Sequence, residues 1–233
     1  MPRPQPNRIG PQGPVNPLPA AVIALAVVIA GVEMLFGLAD RGLIGGPGGI
    51  GLRSEAVRDY AFFGDALNWM FENGRAPPEL LARFVTYPLL HLSFTHALFV
   101  CVFVLAMGKM VGEAMGNAAV LIVFFGASIG GALIYGLFLN DTFPLVGGYP
   151  GVYGLIGGYT FLMWVQARLL QQNQINAFRL IGILLAIQLA FGLLLGSRND
   201  WLADIGGFVV GFGLCFLLVP GGWARVREGL RRR

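Results

Sequence analysis

Few polar side chains stand inside the apolar stretches of this 233-residue chain, so the chemistry open to those stretches is narrow. His91 and His96 lie five positions apart in one stretch, Asp204 in another and Glu33 in the first. An ionisable group inside an apolar segment is a functional candidate by default. A histidine satisfied by a neighbouring carbonyl is the plainer alternative, and Glu33 is close enough to a segment end to reach an interface. A metal centre would want more His, Cys or carboxylate ligands than are visible, so neither metal nor other cofactor is expected. Ser128, in Gly126-Ala127-Ser128-Ile129-Gly130, has the look of a nucleophile, but its segment offers no base and helix packing explains it better. Cys101 and Cys215 read as small buried hydrophobes.

The elements that must position these groups are set by composition. A mean hydropathy of +0.70, with 56% hydrophobic and 12% charged residues, is beyond what a soluble domain exposes to water. The chain reads as an all-α polytopic membrane protein. Residues 1–19, rich in Pro, Asn, Gln and Gly, read as a disordered cytoplasmic tail. Residues 20–220 form the membrane domain and 221–233 a basic cytoplasmic tail. A bilayer crossing takes about 20 apolar residues. Segments of that kind fall at 20–39, 89–111, 118–139, 145–166, 177–195 and 202–219, which makes six spans. The first is too long and too late for a standard signal peptide.

Between the first two spans, Asp40 to Arg83 is too long for a structureless loop. Ser54 is placed to cap a helix, and Val57, Tyr60, Ala61, Gly64, Leu67 and Phe71 continue it at helical spacing. That helix either lies in the membrane interface or packs on the protein's own core. The basic residues sit at segment ends and in the tail arginines 225, 227, 231, 232 and 233, which is a topology signal and no nucleic-acid patch. Both termini are therefore expected in the cytoplasm, with the long loop outside and the cell membrane, the inner one in a bacterium, as the location.

Small residues recur at four-residue spacing: Gly126 with Gly130, Gly147 with Gly151, Gly154 with Gly158, and Gly207 with Gly211. Such spacing lets helix backbones approach and gain contact that lipid does not supply as well. The glycine-studded runs Pro144–Tyr159 and Trp201–Gly211 are the expected partners, bringing Tyr149 towards Asp204. An intramembrane carboxylate needs a hydrogen bond, water or a proton, and the tyrosine hydroxyl, or else His96, is the partner expected for Asp204. Tyr149, Asp204, His91 and His96 thus make the candidate polar core.

The stretch Arg83–His96, beginning Arg-Phe-Val-Thr-Tyr-Pro and ending at His91 and His96, resembles the start of the second span of rhomboid intramembrane serine proteases. Leu145–Tyr159 is similar to their fourth span, and Ala203-Asp204-Ile205-Gly206-Gly207-Phe208 to their sixth. The resemblance runs in order over roughly residues 20–220 and implies the rhomboid six-helix bundle. It also implies a serine in Gly-x-Ser-Gly on the fourth span and a histidine on the sixth. Tyr149 or, one register along, Pro150 stands at the serine position, and Asp204 stands at the histidine position. Of the oxyanion side chains, the histidine is matched by His96 but the asparagine by Val100. A valine donates no hydrogen bond, and an ordinary carboxylate is a poor base for an alcohol.

The resemblance therefore implies a rhomboid pseudoprotease that binds transmembrane segments of client proteins in the lipid, without catalytic residues of its own. An intramembrane serine-type endopeptidase with degenerate motifs is the alternative. A transporter or channel is a further one, since a carboxylate and two histidines can line a path.

Overall fold

The computed structural model describes residues 17–139, 143–195 and 200–219. The expectations for most of the first tail and for the last one fall outside these residues. Every regular element described is helical, apart from one isolated β-bridge.

Helix α1 (Ala20–Asp40) is apolar on all sides and buries one stripe, Val22, Leu25, Ile29, Glu33 and Phe36. The other faces are left to lipid. Its start is held by Asn117, whose Oδ1 accepts the Ala21 N–H at 3.1 Å. Helix α5 (Phe94–Met115) turns directly into α6 (Asn117–Phe138) through Gly116, at φ +88°, a left-handed conformation that favours glycine. Helix α7 (Tyr149–Leu169) is the hub: Pro150 to Gly158 are all buried. Helix α8 (Arg179–Leu195) is short and turned outward, with Ile183, Ile187 and Leu189 exposed. Helix α9 (Trp201–Leu218) closes the bundle against α6 and α7.

The glycine spacing works as expected on the inner helices. A side chain on Gly211 would strike the Gly154 backbone, one on Gly207 the Pro150 carbonyl, and one on Gly157 the Phe208 carbonyl. Gly126 and Gly130 receive Leu214 and Val210 of α9. Gly147 differs from the expectation, because it lies in the turn ahead of α7 at φ +103° and belongs to no helix. Among the described residues, α1, α5, α6 and α9 are long and apolar enough to cross a membrane. Helix α7 has the length, but its glycines, tyrosines and polar end make it less apolar, as its enclosure by other helices permits.

The long loop folds as three helices: α2 (Leu52–Tyr60), α3 (Gly64–Asn73) and α4 (Pro78–Thr86). The continuous helix expected from Ser54 is thus corrected on two points. Gly51, at φ +102°, is the N-cap and Ser54 lies inside α2. The chain also leaves the helix at Ala61–Phe63, because Phe62 pairs with Leu145 through both backbone bonds, at 3.2 and 2.8 Å. Phe62, Leu67, Phe84 and Tyr87 then build a second core with Ala132, Tyr135, Leu145 and Ala203. The loop therefore packs on the bundle, while Tyr60, Trp69 and Phe71 remain exposed.

Candidate functional site

The N-terminal end of α7 is where the candidate residues meet. The strand-like bridge at Leu145 delivers the chain to Gly147, whose N–H donates to the Tyr87 carbonyl at 3.0 Å. Tyr87 is fully buried and its hydroxyl donates to the Ser128 carbonyl at 2.7 Å, so this turn is anchored to α6 as well. Gly148 N–H donates to Nε2 of His91 at 3.3 Å. An imidazole that accepts at Nε2 carries no proton there. Burial, helped by the neighbouring His96, pushes the His91 pKa down to about 3, which keeps that acceptor available.

His91 was expected on the second span. It lies instead in the loop before α5, because Pro88 forms a 3-10 turn at Tyr87–Leu89 and the helix starts only after Ser93. Ser93 Oγ accepts the His96 N–H at 3.2 Å, an N-cap that fixes His96 in the first turn of α5. The His96 ring meets His91 edge-on, centroids 4.9 Å apart, and stacks on Tyr149 at 5.0 Å and 17°. Any side chain at Gly147 would occupy the space of the His96 ring. Val100 is fully buried with its methyl against Gly148, so an apolar group fills the place where the resemblance looks for an asparagine donor.

Tyr149 and Pro150 face different neighbours. Tyr149 turns to His96 on α5, whereas Pro150 packs on Gly131 of α6 and Gly207 of α9. Asp204, 6% exposed, does not take Tyr149 as its partner. Gln188 on α8 donates from Nε2 to Asp204 Oδ2 at 2.9 Å, and Tyr153 donates its hydroxyl to Gln188 Oε1 at 3.2 Å. The tyrosine hydroxyl expected at Asp204 is thus corrected: Gln188 donates to the carboxyl group, and the tyrosine behind it is Tyr153 in place of Tyr149. The physical reason is position along α7, because residues four apart share a helix face and differ in depth by one turn. Tyr149 starts α7 on the α5 side, and Tyr153, one turn on, is the tyrosine that reaches α8. Gln188 escaped the sequence reading, although it is the sole hydrogen-bonding side chain between Leu180 and Leu195. That rarity was the available signal.

Ser128 is committed to helix structure: it is fully buried and its Oγ donates to the Phe124 carbonyl at 2.8 Å. Glu33 is enclosed by the protein itself. It is 5% exposed and takes a two-pronged ion pair from Arg53, Nη1 to Oε2 at 2.8 Å and Nη2 to Oε1 at 2.9 Å. The same Nη1 donates to the His91 carbonyl at 2.6 Å, and the guanidinium stands 5.1 Å from the Phe36 ring centre. Arg53 thereby ties α2 to α1 and to the histidine loop. Among the described residues no group of three or more His, Cys, Asp or Glu is arranged to hold a metal.

This arrangement has a family. The Rhomboid domain family matches residues 78–221, from α4 to the end of α9, and the chain belongs to the rhomboid family. It is 29% identical over 146 residues to a RHOMBOID-like protein 4 of Arabidopsis thaliana, covering 60% of this chain and 35% of that protein. It is also 29% identical over 139 residues to the putative rhomboid protease YdcA of Bacillus subtilis, covering 59% of this chain and 67% of that protein. The match thus spans about a third of the plant relative's length.

Proposed function

We propose that this chain is a rhomboid pseudoprotease, a six-span membrane protein with cytoplasmic termini that binds transmembrane segments of clients without cleaving them. One observation carries the reading: where the family's mechanism calls for an activated serine, the first turn of α7 presents Tyr149 stacked on His96 and Pro150 wedged between α6 and α9. Tyr149 is the residue that faces His96, which favours it over Pro150 as the serine-equivalent position. Asp204, at the histidine-equivalent position, is hydrogen-bonded to Gln188. Val100 supplies no donor for an oxyanion. Nucleophile, base and one oxyanion donor are each replaced by a residue of another chemical type, while the scaffold is intact.

The second reading, an endopeptidase with degenerate motifs, is favoured by the protease name of the Bacillus relative. Purified full-length protein in liposomes with a fluorescent single-span substrate separates the two. Association without cleavage is the expected result. Cleavage that disappears in Asp204→Ala or Tyr149→Phe would replace the pseudoprotease reading with the endopeptidase one.

A further inference from the structure

The Tyr153–Gln188–Asp204 chain leaves a carboxylate only lightly compensated. Among the described residues, the hydrogen-bond donor to Asp204 is the neutral Gln188 amide, and none of the ion pairs formed includes Asp204. An ionised carboxylate accepts about four hydrogen bonds and is held most strongly by a cation. Asp204 stands in the first turn of α9, where the helix dipole favours negative charge. Gln188, its cover, is half-buried and comes from the most outward-facing helix of the bundle. A helix approaching α8 through the lipid meets Gln188, and through it Asp204.

We infer that Asp204, screened by Gln188, is the recognition group for client transmembrane helices that carry a lysine or arginine about one turn inside the membrane boundary. The inference rests on the client-binding reading above. The incoming ammonium or guanidinium takes the Oδ2 position from the Gln188 amide and replaces a hydrogen bond from a neutral donor by an ion pair. Tyr153 keeps its hydrogen bond to Gln188 Oε1 available as the amide turns aside. A basic residue alone in lipid is costly, so the pairing relieves client and receptor together. The depth follows from the place of Asp204 in α9, and the cationic preference from its carboxyl group, whose ionised form a lysine or arginine holds most strongly.

The test uses full-length protein in liposomes and a set of oligoleucine single-span peptides that differ at one position, lysine, arginine, leucine or glutamate, one turn from the outer end. Association is read by energy transfer. Wild-type protein should bind the lysine and arginine peptides about tenfold more tightly than the leucine peptide, the scale of an interhelical polar contact in model systems. The glutamate peptide should bind least, Asp204→Asn should abolish the ratio, and Gln188→Leu should increase it. Equal affinity of wild type for lysine and leucine peptides overturns the inference and leaves client binding standing. Binding of no peptide overturns both. A lysine preference that survives in Asp204→Asn overturns the inference by assigning recognition elsewhere. The comparison of peptides on wild type needs no variant to fold.

Discussion

Two side chains of the site, Val100 and His91, carry expectations that can be measured. Val100 fills the space beside Gly148, so on the pseudoprotease reading a serine and a histidine put back alone would still lack one oxyanion donor. The double variant Tyr149→Ser/Asp204→His should remain at least about a hundredfold below an active rhomboid in a liposome cleavage assay, the usual cost of one missing oxyanion donor. Addition of Val100→Asn is the change expected to raise it. His91 makes a different statement, about pH. Its imidazole is neutral in the fold, with a pKa near 3 against an ordinary 6.5, because burial disfavours the charged ring. Between those values the unfolded chain binds more protons than the folded one, so stability falls as pH drops from about 6.5 towards 3. The melting temperature in detergent should decline across that window, and His91→Asn, which keeps an acceptor for Gly148, should flatten the slope. The histidines, Tyr149 and Asp204 were legible in the sequence as rare polar groups in apolar runs. Their pairing was not, because which tyrosine lies level with Gln188 of α8 depends on where α7 begins, and that is set at Gly147 and Gly148 by contacts from Tyr87 and His91.

At the level of elements, the glycines of α7 and α9 let two backbones touch, and sequence spacing sufficed to find them. Gly211 and Gly213 lie on one helix and make opposite predictions. A methyl at Gly211 would collide with the Gly154 backbone, whereas Gly213 meets nothing within 4 Å. Gly211→Ala should therefore destabilise by about 1–3 kcal/mol, the range for overpacking, or prevent folding outright. Gly213→Ala should be neutral or stabilise by up to about 1 kcal/mol through helix propensity. Thermal unfolding of the two variants side by side checks both signs. The break in the loop between α2 and α3 was invisible for a physical reason: the residues from Val57 to Phe71 keep helical periodicity throughout, and the helix yields at Phe62 only because Leu145, far along the chain, offers its backbone. The ion pair that holds α2 to α1 was equally hidden. Arg53→Met leaves Glu33 buried and alone, and should cost about 3 kcal/mol. Glu33→Met/Arg53→Met together should recover most of that loss in the same unfolding experiment.

The whole molecule was the most legible scale. Apolar length, glycine spacing and the order of a few motifs were enough to point to a rhomboid bundle, because membrane burial leaves the helical bundle as almost the sole solution for such a composition. Helix ends fall within four residues of the bounds expected for the apolar segments at every end but one. The exception is the start of α5, delayed by Pro88 and the Ser93 cap.

The double attachment of α1 bears on where this protein can be divided. The Rhomboid domain match begins at residue 78, after α1, α2 and α3, which gives the look of a seam there. The atoms describe no seam. Asn117 grips the first turn of α1, Val22 and Pro19 fill the hollows above Gly108 and Gly112, and Glu33 reaches through Arg53 to the carbonyl of His91. A fragment trimmed to 78–221 would expose those hollows to lipid and lose the brace behind its histidine loop. Expressed alone, it should aggregate or resist extraction as a monodisperse species on size exclusion in detergent, and co-expression of residues 1–77 as a separate piece should rescue it. The opening helix is a keystone, set first in the chain and last to be removable.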